Sequence, residues 1–257
     1  MSLSKKLIFF DIDGTLISYK NQTCIPIETI EAIERLKENG HLIAVATGRN
    51  FQMAEHILSE LKINYAVLGN GAQILLNGEC VYEKRIGKRI SSKICKKLLK
   101  TKLCVLAFDG ENIFVHNISD NSRDYLEENT RSKDAIKPLS EHKNSLFSIN
   151  TYGELNLISE FLNNIKSIDF KVNQCEISAK GISKGKSIKR LAKLLDISHN
   201  NIIAVGDGIN DIDMIKSASV GIAVGNACAE LKAVADMITD DIEDGGILKA
   251  FEKLGLI

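Results

Sequence analysis

The 257-residue chain has no tryptophan, only two prolines and no net charge, with 33 lysines and arginines against 33 aspartates and glutamates. A neutral balance gives no electrostatic reason to expect nucleic acid or an anionic membrane as partner. No apolar run approaches the roughly 18 residues that a membrane span requires. Lys5 and Lys6 lead into the first apolar segment without a secretion-type stretch and cleavage site, so a cytoplasmic location is expected. The cysteines Cys24, Cys80, Cys95, Cys104, Cys175 and Cys228 form no Cys-x-x-Cys pair. That scatter argues against a metal or disulfide framework and predicts reduced, mostly buried thiols. Internal repeats and low-complexity tracts are also missing, which disfavours a solenoid or a disordered tail.

What remains is ordinary globular composition, 44% hydrophobic and 26% charged, in a chain long enough for one large domain or two modest ones. Its most informative stretch is Leu7-Ile8-Phe9-Phe10-Asp11-Ile12-Asp13-Gly14-Thr15. Four consecutive apolar residues suit a strand buried on both faces, as in parallel sheets covered by helices. Ligands of such sheets bind beyond the carboxyl ends of the strands, where Asp11 and Asp13 fall. Ile12 between them can turn back to the core, and Gly14 permits a sharp turn.

Strands and helices alternate at both ends of the chain. Residues 27–39 carry Ile27, Ile30, Ile33 and Leu36 at helical spacing and stop at Gly40; Leu42 to Ala46 reads as a strand ending in Thr47-Gly48-Arg49. A helix marked by Met53, Ile57, Leu58 and Leu61 and a strand from Tyr65 to Leu68 follow, the latter ending in Gly69-Asn70-Gly71. Near the carboxyl end, a helix through Ile188 and Leu191 precedes the strand Ile202 to Val205 and the turn Gly206-Asp207-Gly208-Ile209-Asn210-Asp211. Shorter strands are expected at Val220 to Val224 and Met237 to Thr239. The alternation implies an open parallel sheet in an α/β, Rossmann-like core.

Between residues 79 and 181 the texture changes. Runs at Cys104 to Phe108 and Asn112 to Asn117, joined by Asp109-Gly110-Glu111, read as a hairpin, with further strands at Ser145 to Thr151 and Phe170 to Ser178. Helices are expected near 91–101 and 154–165, whereas the polar stretch 119–144 is hard to place. Hairpins with helices to one side make this an α+β insert. The domain reading is therefore core from 1–78 and 182–257, interrupted by the insert at 79–181.

Loops that follow different strands of a parallel sheet meet along one edge, so Asp11, Asp13, Thr47 and Asp207 can be neighbours. Crowded carboxylates from Asp11, Asp13, Asp207 and Asp211 would repel unless a cation joins them, and all-oxygen donors favour a hard ion such as magnesium. Lys184, in Gly181-Ile182-Ser183-Lys184-Gly185, can supply compensating charge and bind a phosphoryl oxygen.

This constellation resembles the haloacid dehalogenase superfamily of phosphatases, carried by four motifs in order: Asp-x-Asp-Gly-Thr at 11–15, Thr-Gly-Arg at 47–49, the lysine at 184 and Gly-Asp-Gly-x-Asn-Asp at 206–211. Val224-Gly225-Asn226-Ala227, Thr239-Asp240-Asp241 and Glu243-Asp244-Gly245 also look like its Cof-type branch, whose C2B-type α+β cap the insert resembles in length and position. The resemblance implies that Asp11 attacks phosphorus to form an aspartyl-phosphate and that Asp13 protonates the leaving oxygen and then activates water. It assigns phosphoryl binding to Thr47, Gly48, Lys184 and Asn210; Arg49 and Asn70, from their own loops, are weaker candidates for substrate contact. Magnesium would be held by Asp11, the Asp13 carbonyl and Asp207, supported by Asp211. The cap would close over the site and select a small phosphorylated metabolite such as a sugar phosphate or a cofactor-precursor phosphate. A monomer or small homo-oligomer is expected.

Simpler readings compete for the same residues. A calcium loop starting at Asp11 would have Thr15 and Leu16 at its fifth and sixth places, where an oxygen ligand and a glycine belong; one starting at Asp207 has Ile212 at its sixth. The five histidines show no ligand spacing, and Arg49 suits a structural ion pair as well as a substrate contact. A phosphotransferase or mutase of the same superfamily, and a non-catalytic phosphoacceptor module, stay open as alternatives.

Overall fold

The computed structural model describes residues 5–19, 24–154, 156 and 175–257. Contacts divide the chain into two units, the first running to Gly48 and over Leu58–Val81 and Ser183–Ile257, the second over Arg49–Ile57 and Tyr82–Ile182. No helix among the described residues is long and apolar enough to cross a membrane.

Leu7–Phe10 forms β1, every residue of it fully buried. It pairs in parallel with β2, Leu42–Ala46; helix α1, Ile27–Glu38, packs on β2, and α2, Phe51–Glu60, follows β2 in the chain. The chain continues through β3, Tyr65–Leu68, to β4, Gln73–Leu76, and β5, Glu79–Glu83. Asn77 and Gly78, both at positive φ, make the two-residue turn between β4 and β5. The Asn-Gly pair is a local hairpin signal, and β4 joins the core sheet antiparallel to β3, a departure from the all-parallel sheet expected.

The second unit holds β6, Cys104–Phe108; β7, Ile113–His116; β8, Ile136–Pro138; β9, Ser148–Tyr152; and β10, Cys175–Ser178. Among the described residues its sheet has the order β10-β9-β6-β7-β8, antiparallel except for the β7 and β8 pair. Helix α3, Lys88–Leu98, starts after Gly87, three residues earlier than its apolar spacing suggested. It buries Ile94, Cys95 and Leu98 against Leu103, Val105 and Ile149, and turns Lys88, Arg89, Lys93, Lys96 and Lys97 to solvent. The polar stretch 119–144 contains α4, Asp120–Glu128, capped by Ser119, whose Oγ accepts from the Ser122 amide at 3.2 Å. The helix expected near 154–165 and the start of the strand at Phe170 lie outside the described residues.

Returning to the first unit, α5 spans Lys184–Leu194, and β11, Ile202–Gly206, β12, Val220–Ala223, and β13, Met237–Ile238, complete a sheet of order β13-β12-β11-β1-β2-β3-β4-β5 among the described residues. The α/β, Rossmann-like core with an inserted α+β unit is thus the observed fold class. Strand order reverses beside β1, which lies between β11 and β2, the position where open α/β sheets bind ligands.

One composition-based expectation fails. Of the five cysteines whose side chains are described, none in a disulfide, only Cys95 is buried, whereas Cys24 and Cys80 are exposed. Cys80 lies on the edge strand β5, where no further strand covers it among the described residues.

Candidate active site

Register explains why distant motifs meet. Phe10 stands opposite Val45 on one side and Val205 on the other; β1 ends there and β2 and β11 one residue later, so Asp11, Thr47 and Asp207 emerge within one residue of the same level. The Asp11 amide still donates to the Val205 carbonyl at 3.0 Å, which fixes its side chain at the sheet edge. Gly14, at φ 81°, then turns the chain. A Cβ on Gly14 would sit 2.3 Å from Asp207 Oδ2, so that glycine is also required by close approach.

Lys184 reaches this edge from the first position of α5. Ser183 caps the helix by accepting from the Lys186 amide at 3.3 Å. Gly185 lets the first turn press onto the segment Ile212–Ile215, since a Cβ there would meet the Asp213 carbonyl at 2.3 Å. The Lys184 ammonium, with its side chain fully buried, donates to Asp11 Oδ1 at 2.8 Å and to Asp211 Oδ1 at 2.6 Å. Asp211 in turn folds back over Gly206, and its Oδ2 accepts from the amides of Asp207 and Gly208 at 3.1 and 3.0 Å. Both oxygens of Asp211 are therefore engaged. Asp11 Oδ2, by contrast, carries no hydrogen bond among the described residues.

Asp207 accepts from the Thr15 hydroxyl at 2.9 Å through Oδ1 and from the Tyr19 hydroxyl at 3.0 Å through Oδ2. Carboxylate oxygens of Asp11, Asp207 and Asp211 all lie within 4.8 Å of one another, and all three residues are buried. Three carboxylates share one ammonium, and the electrostatics follow. Burial first, then the neighbouring Asp211, push the Asp11 carboxyl well above its usual range despite the opposing pull of Lys184. Burial and Asp211 likewise raise Asp207 to about 6, against the hydrogen bonds from Thr15 and Tyr19. For Lys184, burial favours the neutral amine, yet Asp11 and Asp211 outweigh it and hold the ammonium charged.

Residues 8–251 match the family of haloacid dehalogenase-like hydrolases. The chain belongs to that family. The hydrolase is 27% identical to Bacillus subtilis YcsE, a 5-amino-6-(5-phospho-D-ribitylamino)uracil phosphatase, over 95% of this chain and 94% of that one. It is also 27% identical to the phosphatase YwpJ of the same organism, over 97% and 99% of the two chains. Among solved structures, a sugar phosphatase of haloacid dehalogenase subclass IIB superposes with a TM-score of 0.86 at 26% identity, covering 98% of this chain and all of the other. An enzyme of the haloacid dehalogenase phosphatase type, hydrolysing phosphorylated substrates at an aspartate-based site, accounts for both the family match and the buried aspartate cluster.

The hydrolase brings most of the residues singled out in its sequence together within the first unit. Thr47 is fully buried at the end of β2, and its carbonyl accepts from the Asn70 amide at 2.9 Å. Asn70 adopts the left-handed region at φ 51°; its amide lies 3.2 Å from where a Gly48 Cβ would be, and its Oδ1 accepts from Asn210 Nδ2 at 3.5 Å. Asn70 thus neighbours both Gly48 and Asn210. Asp13 is the exception among the aspartates: its carboxylate is not part of the buried cluster, while its backbone carbonyl accepts from the Tyr19 hydroxyl at 3.1 Å. Arg49 groups with the second unit, donating to the Met53 carbonyl at 3.1 Å and the Tyr125 hydroxyl at 3.3 Å.

Three residues of this neighbourhood went without a role in the sequence reading. Thr15, which closes the first aspartate motif, holds Asp207 through its hydroxyl. Asn226, within the second Cof-like segment, donates to the Gly14 carbonyl at 2.7 Å and accepts from the Ile242 amide at 3.3 Å, bracing the turn after β1 against the segment after β13. Nothing in the polar run around Tyr19 marked it.

Proposed function

We propose that this hydrolase is a magnesium-dependent phosphatase of small phosphorylated metabolites, sugar phosphates or cofactor-precursor phosphates, working through an aspartyl-phosphate on Asp11. The observation that carries the reading is the buried triangle of Asp11, Asp207 and Asp211 around the Lys184 ammonium. Three carboxylates facing one cation leave unbalanced negative charge, and an all-oxygen donor set fits a hard divalent ion. Asp11, Asp207 and the Asp13 carbonyl would hold it, and Asp211, whose oxygens are already taken, would position Lys184 and the Asp207 backbone. When bound, the ion supplies positive charge that draws phosphoryl oxygens toward the carboxylates.

The chain's own residues then divide the work. Lys184 fixes one oxygen of Asp11 and leaves the other able to attack phosphorus as the bond to the leaving oxygen breaks. Asp13, outside the buried cluster, gives that oxygen a proton and later takes one from the water that cleaves the aspartyl-phosphate to inorganic phosphate. Proton transfer of this kind contributes about 10² to 10⁴ in rate. Thr47, Gly48, Asn210 and the Lys184 ammonium would bind phosphoryl oxygens, with Asn70 bracing Asn210 and Arg49 a weaker substrate contact.

The inserted segment, residues 79–181, is read as the substrate-selecting C2B-type cap of a Cof-type phosphatase. Support comes from its position between Thr47 and Lys184, from its mixed sheet, five-stranded among the described residues, and from the likeness to a subclass IIB sugar phosphatase. The ribitylaminouracil phosphatase among the relatives supports phosphorylated metabolites as the substrate class.

A phosphomonoester panel assayed with magnesium and with chelator tests the reading. Phosphate release is expected only with the ion, and Asp11→Asn should lower it by at least about 10³-fold while leaving the fold intact. Wild-type turnover in that variant would remove the nucleophile assignment.

A further inference from the structure

Tyr19 exposes 60% of its surface, so burial of its ring does little to fix it. Its hydroxyl nevertheless turns inward, 3.1 Å from the Asp13 carbonyl and 3.0 Å from Asp207 Oδ2. The ring passes close over Gly14, where a Cβ would come within 2.4 Å of Tyr19 Cε2. Any other residue at position 14 would push the ring off this course. A phenol has one proton, and two oxygen acceptors converge on it, at 3.0 and 3.1 Å, both beyond the commonest O–H···O distance. Two such acceptors facing a single point are better served by a cation than by a shared proton.

We propose that Tyr19 sets the affinity of the active site for its divalent cation, because its hydroxyl competes with the ion for the Asp13 carbonyl and the Asp207 carboxylate. The inference rests on the reading of those two groups as ion-holding. Whenever the hydroxyl occupies them, the protein is not competent to take the ion, and the apparent affinity is reduced by the fraction of time it is there. An exposed ring can swing away without opening a cavity in the core, so the exchange costs only the hydrogen bond. Tyr19 would thus act as a positioning residue that tunes metal loading, without touching the reacting phosphoryl group.

Isothermal titration of magnesium into the chelator-dialysed full chain, comparing wild type, Tyr19→Phe and Asp207→Asn, separates the possibilities. Tyr19→Phe is expected to bind about two- to tenfold more tightly, the range expected for loss of one competing hydrogen bond. The chain has five tyrosines and no tryptophan, so the near-ultraviolet absorbance of Tyr19 is open to direct observation. Wild type should show a tyrosine difference spectrum on adding magnesium that Tyr19→Phe lacks. Binding that is abolished by Asp207→Asn yet unchanged or weakened in Tyr19→Phe would overturn the competition alone. Failure of the wild-type chain to bind magnesium, or equal binding by Asp207→Asn, would overturn the ion-site reading and the competition with it.

Discussion

The two units treat buried charge in opposite ways. In the second, the buried charged groups among the described residues, Arg49 and Asp109, each serve nearby polar groups: Arg49 donates to the Met53 carbonyl, and Asp109 Oδ1 accepts from the amides of Glu111 and Asn112 at 3.1 and 2.8 Å, closing the hairpin turn. In the first, three buried carboxylates crowd around a single ammonium. A fold gains nothing in stability from like charges held this close, since burial and mutual repulsion both oppose it. The difference separates the two sources of buried polarity in one chain. Hydrogen-bonded charge that organises local backbone belongs to folding, and clustered charge with unmet demand belongs to chemistry.

The sharpest way to break this comparison is to remove the one ammonium. Lys184→Ala leaves Asp11 and Asp211 without their cation, and such a truncated buried pair is expected to cost about 3–5 kcal/mol, read from urea unfolding in chelator. A cost below about 1 kcal/mol would mean that the cluster does not depend on Lys184. In the second unit the matching test is apolar. Leu98→Ala, at a fully buried position against β6 and β9, should lower stability by about 2–4 kcal/mol through transfer and cavity terms. Magnesium affinity of the folded variant should stay at the wild-type value, because no charge of the first unit has changed. Loss of magnesium binding in folded Leu98→Ala would dissolve the distinction.

Particular residues show what the sequence made legible. The apolar runs of β1, β2 and β11 give way to Asp11, Thr47 and Asp207 because strands buried on both faces admit only apolar side chains, so the first polar residue marks the sheet edge. Lys184 was reachable only through motif order, since nothing local distinguishes a lysine at a helix start that is fully buried from one in solvent. Gly185 and Gly206 determine how closely Lys184 and Asp211 approach, yet a glycine's need for space is invisible until its neighbour is known. Tyr19 illustrates the limit: its hydroxyl partners come from positions 6 and 188 residues away in sequence, and no spacing rule connects them. The Asn77-Gly78 turn is the opposite case, a local signal that the change of texture after residue 79 obscured.

The finest test of the comparison is pH. Burial and Asp211 raise Asp207 from its ordinary 3.8 to about 6 in the folded protein. Between those values the native state binds a proton that the unfolded chain has released, so ionising Asp207 costs stability as pH rises. The contribution of the protonated carboxyl is fully present below the unfolded value and is lost as pH climbs through about 6. By linkage the cost amounts to about 1–3 kcal/mol at neutral pH. Asp207→Asn carries no charge to ionise, so in chelator it should be more stable than wild type at neutral pH by that amount. The gap should close as pH falls from about 6 toward about 4, where Asp207 is neutral in wild type as well. Magnesium should reverse the order above about pH 6, stabilising wild type by mass action while leaving the variant unmoved. Urea unfolding across this range checks both signs. A gap that stays constant with pH would assign the stability difference to packing around the substituted side chain and leave the first unit with no charge held at the expense of its fold.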